Sequence, residues 1–302
     1  MNIVVFGAGA IGSLFGGLLS RKNNDVLLIG RKSHVDAIKE NRLVIRGKTE
    51  MAVKVSADDS VDKVTDSPDL LILTVKSYDT ESAVKQVKKI VDKDTVVLSL
   101  QNGLDNIDKI KKNVDCKQVI AGVTTHGVFF SKPGVVDHTG VGKTVLGEID
   151  GRETERLDDV VDVFNGAGIE TVASKDVMKE IWVKAVVNSS INPLTTLFQC
   201  KNGYLLGNPL LEAIVEKICI ESTRVANKEG LDLSHRDMCK KTREVIHDTS
   251  KNYSSMLQSF KHGKKTEIDS INGRIVEIGK RHGLEPTMNE VLVYLIKQIC
   301  RS

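Results

Sequence analysis

Three polar side chains recur at four-residue spacing in the otherwise apolar stretch WVKAVVNSSINPLTTLF: Lys184, Asn188 and Asn192. On a helix, a step of four residues turns the face by only about 40°, so the three share one stripe. An ammonium can polarise a carbonyl and hand it a proton, and carboxamides can hold a carboxylate or a hydroxyl. A core needs none of these groups, and burying an unpaired ammonium is costly. Pro193 disfavours helical geometry at the residue before it, so the helix is expected to end or kink there and expose Asn192.

A second constellation lies at the other end of the chain. The apolar run NIVVF leads straight into GAGAIG, with Gly7, Gly9 and Gly12, and then into the apolar pattern SLFGGLLS. After a strand and at a helix start, these glycines would allow a tight turn, close approach of N–H groups to a pyrophosphate, and close helix packing. The alternative is a glycine-rich turn that binds nothing. The end of the second β-like run carries Gly30, Arg31 and Lys32, where a site for NAD would place an acid on the ribose 2′-hydroxyl. A guanidinium instead suits a 2′-phosphate, so the pattern points to NADP(H), against the alternative of two solvated loop cations. Lys76 and Asn102 fall just past two further β-like runs, where ligands bind in open α/β sheets. Asn102-Gly103 alone reads equally well as a turn.

Other polar features admit plainer readings. His126 and His138 lack metal-ligand spacing, and His126 reads as a hydrogen-bonding residue at a strand end; no metal is expected. The run Lys261-His262-Gly263-Lys264-Lys265 reads as a solvated loop, with a cofactor-phosphate contact as the alternative. Ser254 and Ser255 stand at a helix start, where a plain N-cap is the competing explanation. Glu267 can be a first-turn acid that favours the helix dipole. No G-x-S-x-G elbow supports nucleophilic catalysis.

These groups need elements to carry them. A chain of 302 residues suggests roughly two domains of about 150 residues each. The runs NIVVF (2–6), DVLLIG (25–30), LLILTV (70–75), TVVLSL (95–100) and QVIAGV (118–123) alternate with helical patterns near 10–21, 79–92 and 104–113. That alternation predicts an α/β fold with a doubly wound, mostly parallel sheet of Rossmann type. A more β-like tail, VVDHTG and TVLGEI, precedes a helix around 154–166 and the short strand IETV. Beyond it the pattern is all helical: 176–191, 209–228, 235–248, 266–281 and 288–299. Asn208 ahead of Pro209, Gly230 as a stop and Thr287 as an N-cap punctuate these helices. The expected domains are 1–172, binding NADP, and 173–302, helical and binding substrate.

Composition excludes several classes. The net charge of +3, from 43 basic and 40 acidic residues, gives no nucleic-acid or membrane-surface footprint. No apolar run approaches the ~18 residues of a membrane span. Five cysteines (Cys116, Cys200, Cys219, Cys239 and Cys300) form no C-x-x-C and suit reduced thiols. With no leader pattern in MNIVVFGAG, a cytoplasmic protein is expected.

Together, G-A-G-A-I-G, T-V-K at 74–76, Q-N-G at 101–103, T-T-H at 124–126, W-V-K-A-V-V-N-S-S-I-N-P-L-T, S-S-M-L-Q at 254–258 and T-E-I-D-S-I-N-G at 266–273 resemble the ketopantoate reductase (2-dehydropantoate 2-reductase) family. The likeness covers essentially the whole chain, though 34–66 and 235–250 find no match. It implies NADPH-dependent reduction of 2-dehydropantoate to (R)-pantoate, on the route to pantothenate and coenzyme A, in a cleft between the two domains. It further implies that Lys184 is the general acid. Asn102, Asn188, Asn192, Asn202, Ser255, Met256, Leu257 and Gln258, with Lys184, would hold the substrate. The glycine loop (Gly7, Ala8, Gly9, Ala10, Ile11, Gly12), Arg31, Lys76, Asn102, the backbone near Val128, and Glu267 would serve the cofactor. The partner implied is a small 2-oxo acid, and a homodimer is left open. The alternatives are a reductase of another branched 2-oxo acid on the same fold and, less favoured, a non-catalytic NADP(H) sensor.

Overall fold

The structure, a computed structural model, describes residues 1–300. The chain divides into two compact units: Met1–Gln101 with Asn106–Glu180, and Asn102–Asp105 with the residues from Ile181 onward.

The first unit holds the strands β1 (Asn2–Phe6), β2 (Asp25–Ile29), β3 (Leu43–Gly47), β4 (Met51–Val53), β5 (Ser56–Asp58) and β6 (Leu70–Leu73). It continues with β7 (Val96–Ser99), β8 (Val119–Thr124), β9 (Gly127–Lys132), β10 (Val135–Gly140), β11 (Thr144–Glu148) and β12 (Thr171–Ala173). Its helices are α1 (Ala10–Leu19), α2 (Lys32–Asn41), α3 (Thr80–Val87), α4 (Asn106–Lys111) and α5 (Glu155–Gly166). An eight-stranded sheet runs β12-β11-β8-β7-β6-β1-β2-β5. Every pair from β8 to β5 is parallel, and β11 returns antiparallel to β8. Runs such as LLIL in β6 are buried throughout, which is why they read as continuous apolar segments rather than alternating ones. Phe15 on α1 and Phe164 on α5 are fully buried, with rings edge-to-face at 5.7 Å.

The order matters for function. The chain adds β2 and β5 on one side of β1, then crosses to lay β6, β7 and β8 on the other. The crevice beyond the ends of β1 and β6 is therefore the switch point, the place where such sheets bind ligands. A second, four-stranded sheet, β4-β3-β10-β9, was not expected. Residues 34–66 build half of it: β3 pairs parallel with β10 and antiparallel with β4. These strands are short, and the pairing of β3 with β10 joins residues about ninety positions apart in the chain, so local patterning does not announce them.

The second unit is helical: α6 (Val177–Leu197) from Ile181 on, α7 (Pro209–Lys228), α8 (His235–Asp248), α9 (Ser255–Lys261), α10 (Arg274–Arg281) and α11 (Thr287–Ile299). Trp182, Val186, Ile191, Ile218, Ile246 and Ile275 meet in its core. The cap at Asn208 is as expected, its Oδ1 accepting from the N–H groups of Leu210 (3.0 Å) and Leu211 (3.4 Å). No helix among the described residues is long and apolar enough to cross a membrane.

Three expectations fail here. First, Pro193 does not end the helix, because α6 continues to Leu197 with the proline inside it, and Asn192 is buried at 5% rather than exposed. Proline offers no N–H to the carbonyl four residues back. That carbonyl, on Ser189, instead accepts from Asn272 Nδ2 at 3.1 Å. Second, the helix expected over 266–281 opens with a π-helical turn, Asp269–Gly273, in which Gly273 N–H reaches back to Ile268 at 2.9 Å. Third, Thr287 does not cap α11. Its hydroxyl donates to the Glu285 carbonyl at 3.3 Å, whereas the Glu221 carboxylate on α7 accepts the N–H groups of Met288 (3.0 Å) and Asn289 (2.8 Å). A charged acceptor suits the positive end of a helix better than a hydroxyl does.

This reassignment gives a stability test. Hydrogen bonds to charged groups contribute about 1.5–3 kcal/mol, so Glu221→Ala should lower unfolding free energy by that amount in denaturant melts. Thr287→Ala should cost under about 0.5 kcal/mol, as for a surface change that removes no cap. The reverse ranking would restore Thr287 as the cap.

Candidate active site

The glycine turn sits at the end of β1. Gly7 has φ +110°, and an added Cβ would stand 2.5 Å from the Val75 nitrogen, so only glycine fits. A Cβ on Gly12 would overlap the Gly7 carbonyl oxygen and Thr74 Oγ1; its closeness is to the turn itself. Gly9 is different, with nothing nearer than 3.8 Å, which leaves its surroundings open. The N–H groups of Ala10, Ile11 and Gly12 open α1 and have no carbonyl one turn back, as an anion site requires. Ala8 is buried and donates its N–H to the Ile29 carbonyl at 2.8 Å.

Arg31 follows β2 at the N-cap position of α2, exposed, and its guanidinium makes no hydrogen bond or ion pair among the described residues. An acid does stand nearby in register: Asp58 on β5 pairs with Ile29. It is already committed, however, to Lys63 (2.9 Å), Lys39 (3.4 Å) and the N–H of Asp59 (2.9 Å). The Lys63 hydrogen bond, foremost among these contacts, holds the Asp58 carboxyl well below the usual range. Two other residues that sequence reasoning missed also hold this region. His34 on α2 accepts the Gly134 N–H at Nδ1 (2.9 Å), which leaves Nε2–H to donate to Ser13 Oγ (2.9 Å) in the first turns of α1. Burial lowers its pKa to about 4, so it stays neutral near pH 7. Gln101 donates from Nε2 to the Val75 carbonyl (2.8 Å) and Thr80 Oγ1 (2.7 Å), tying the end of β7 to the segment that carries Lys76. His34 lies in the 34–66 stretch, where the sequence motifs find no family match, and Gln101 stands in the Q-N-G run, where the residue type alone gives the glutamine no role.

Lys76 is half-buried, just before the 3-10 turn Ser77–Asp79. Val128 lies half-buried on β9. His126 is a strand-end hydrogen-bonding residue as expected, but its partner is the other histidine: His126 Nδ1 lies 3.0 Å from His138 Nε2, and His138 Nδ1 lies 2.9 Å from Thr49 Oγ1. Burial, then the neighbouring His138, lowers the His126 pKa to about 4. Among the described residues no cluster of three or more His, Cys, Asp or Glu side chains could hold a metal.

In the second unit, Lys184 and Asn188 are half-buried on α6, and Asn192 is 5% exposed. The amide groups of Asn188 and Asn192 make no hydrogen bond among the described residues, and neither amide is among the fully buried unpaired polar atoms, so both remain open to solvent or a ligand. The Asn192 carbonyl accepts from Thr196 Oγ1 (2.7 Å) and Thr195 Oγ1 (3.0 Å); the latter lies 2.8 Å from Ser254 Oγ, the N-cap of α9. The stripe is thereby tied to the Ser255–Gln258 segment. Within that segment Ser255 is exposed, whereas Met256 and Leu257 are buried at 3% and 0% and can offer a ligand only backbone. Gln258 Nε2 donates to the Tyr253 carbonyl at 2.9 Å. Asn202 is buried, gives its Nδ2 to Thr249 Oγ1 at 2.8 Å, and leaves Oδ1 without a partner among the described residues. Asn102 opens the short segment that groups with this unit, where Leu104 N–H donates to Ser270 at 2.9 Å. Glu267 is buried at 7% just ahead of the same π-helical turn. Lys261 ends α9, 4.0 Å above the Tyr253 ring, and residues 262–265 form the exposed loop that follows.

Comparison with known proteins places this geometry. Residues 3–151 match the family model for ketopantoate reductase PanE/ApbA, and residues 176–300 match the model for its C-terminal part. A 2-dehydropantoate 2-reductase of Pyrococcus abyssi is 45% identical over 299 residues, covering 98% of this chain and 97% of that protein. One of Pyrococcus horikoshii is 41% identical over 299 residues, with coverage of 98% and 97%. The crystal structure of a PanE/ApbA family ketopantoate reductase from Ralstonia eutropha superposes with a TM-score of 0.92 at 32% identity, covering 100% of this chain and 99% of that one. D-mandelate dehydrogenase, solved with NADH and anilino(oxo)acetate, superposes with a TM-score of 0.94 at 29% identity, covering 100% and 98%. The chain belongs to the ketopantoate reductase family.

Proposed function

We propose that this protein reduces 2-dehydropantoate to (R)-pantoate with NADPH, a step toward pantothenate and coenzyme A. The observation that carries the reading is the stripe on α6: a lysine in line with two carboxamides that no group among the described residues satisfies. Ketopantoate presents a keto oxygen, a carboxylate and a hydroxyl, and these are the complements of an ammonium and free amides.

The cofactor side fits on its own geometry. The open space over Gly9, the N–H groups of Ala10 to Gly12 and the uncommitted Arg31 offer a cradle for a pyrophosphate and a separate 2′-phosphate. Bound NADPH supplies a hydride to the keto carbon. Lys76, Asn102, backbone near Val128, and Glu267 complete the cofactor contacts in this reading. Lys184 stabilises the charge that grows on the keto oxygen and delivers its proton. Asn188, Asn192 and Ser255 hold the remainder of the acid, Gln258, Asn202 and Asn102 border it, and Met256 and Leu257 contribute main chain. Residues 1–172 would thus chiefly serve the cofactor and 173–302 chiefly the substrate, with Asn102 and Glu267 as the exceptions, in a cytoplasmic enzyme compatible with a homodimer. A second reading, a reductase of another 2-oxo acid, is kept in play by the likeness to D-mandelate dehydrogenase.

Oxidation of NADPH assayed with ketopantoate, pyruvate and 2-oxoisovalerate separates the two readings. Ketopantoate should give the highest kcat/KM, and a clear preference for either comparator would move the assignment to the second reading. Arg31→Ala should reduce the preference for NADPH over NADH by roughly 10- to 100-fold, chiefly through the KM for NADPH, since a charge-assisted contact contributes about 1.5–3 kcal/mol. Equal kcat/KM for the two cofactors in the unaltered protein would refute that role. Lys184→Ala should fold, bind NADPH normally and lose at least about 10³ in kcat, combining lost proton donation with lost charge stabilisation. Retention of more than about a tenth of kcat would assign the proton to another group.

A further inference from the structure

We infer that Asn272 is a positioning residue for the keto-acid stripe, acting through the backbone of α6. Pro193 deprives the Ser189 carbonyl of its helical donor, and Ser189 lies in the one turn that connects Asn188 to Asn192. A buried carbonyl left unpaired would favour opening that turn, which would move Asn192 away from Asn188 and Lys184. Asn272 Nδ2 fills the gap at 3.1 Å.

The surrounding network dictates that Asn272 presents a donor there. Glu221, as a carboxylate, only accepts; Asn289 therefore faces it with Nδ2, at 2.8 Å. That orientation turns Asn289 Oδ1 toward Asn272, at 2.9 Å, and Asn272 must answer with its own Nδ2. The second hydrogen on the same nitrogen is then the one aimed at Ser189. The circuit closes through Ser222 Oγ, 3.1 Å from Asn289 Nδ2 and 3.0 Å from Ser189 Oγ. Ser189, Ser222, Asn272 and Asn289 are all fully buried. Asn272 Oδ1 has no hydrogen-bond partner among the described residues, so the side chain is held for its donor at the expense of its acceptor. Asn272 rides on the π-helical turn Asp269–Gly273, whose Ser270 carbonyl also anchors Leu104, two residues past Asn102. The same turn therefore fixes two groups assigned to the reacting molecules.

The test is a double-mutant cycle between Asn272 and Pro193 in the full chain, reading KM for ketopantoate, KM for NADPH, kcat and thermal melts. Asn272→Ala should raise KM for ketopantoate by about tenfold or more and leave KM for NADPH within about twofold. Pro193→Ala restores an N–H to the Ser189 carbonyl, so in that background the same change at Asn272 should alter KM for ketopantoate by no more than about threefold. The double variant should fold even if Asn272→Ala alone does not. The inference is overturned by a folded Asn272→Ala enzyme with unchanged KM for ketopantoate, by an equal effect in both backgrounds, or by a double variant that fails to fold. It rests on the keto-acid reading, and the two fail separately: a parent chain that turns over no 2-oxo acid defeats that reading, and an active parent with an unresponsive cycle defeats this one.

Discussion

No side chain fits on Gly12. A Cβ there would overlap the Gly7 carbonyl oxygen and Thr74 Oγ1, and those same two atoms are hydrogen-bonded to each other at 2.8 Å. Gly7 and Ala8 send both their N–H groups to the Ile29 carbonyl, at 2.9 and 2.8 Å. The ends of β1, β2 and β6 are thus knotted at one point, with the first turn of α1 seated on the knot. Several of the groups proposed to meet a dinucleotide are measured from it. The free N–H groups of Ala10 to Gly12 lie just past the knot, Arg31 two residues beyond Ile29, and Lys76 two beyond Thr74. Gln101 extends the tie to β7 through the Val75 carbonyl.

The helical unit meets the opposite problem. Where the first unit removes side chains so that backbone can approach backbone, the second has backbone groups that no other backbone reaches. The Ser189 carbonyl lost its partner to Pro193, and the N–H groups of Met288 and Asn289 lie at the start of a helix whose cap position holds Pro286. Both needs are met by one connected set, with Asn272 serving the carbonyl and Glu221 serving the N–H groups. Two prolines, about ninety residues apart in the chain, are accommodated by side chains that touch each other through Asn289. A partly satisfied buried network costs more than an apolar core, so such a set must be nearly complete to be tolerated.

How much of this the sequence discloses follows from the range of each interaction. The parallel strands and long helices are legible because their signals, apolar runs and helical periodicity, are local. The glycine turn is legible because steric exclusion falls on the residues that carry the pattern. The second sheet is not, since β3 owes its place to β10, and neither is short enough in separation or regular enough in pattern to point to the other. Pro193 misled for the same reason: its local rule is sound, but the donor that overrides it is 79 positions later in the sequence. Thr287 has the right residue type for a cap, and only Glu221's position shows that the task is already done. His126 and His138 read as unrelated until β9 and β10 fold antiparallel and bring their rings to 5.1 Å. Within the 254–258 run, sequence could not tell exposed Ser255 from buried Met256 and Leu257, because one turn of helix presents both faces.

The scaffold holds its polar and glycine residues with unequal force. Gly7 and Gly12 are fixed by exclusion, and the α6 stripe by a closed hydrogen-bond circuit; neither can shift without leaving polar backbone unpaired. Arg31 and Ser255 are held by much less. Both are exposed, both start a helix, and no hydrogen bond among the described residues constrains the Arg31 guanidinium. In the roles proposed for them, changing such residues would alter which phosphate or which acid is preferred while costing the fold little, since surface substitutions commonly stay within about 0.5 kcal/mol. Steric exclusion and buried hydrogen bonds thus pin the glycine turn and the backbone of α6, whereas Arg31 and Ser255, the residues proposed to choose among cofactors and 2-oxo acids, stand exposed at helix starts.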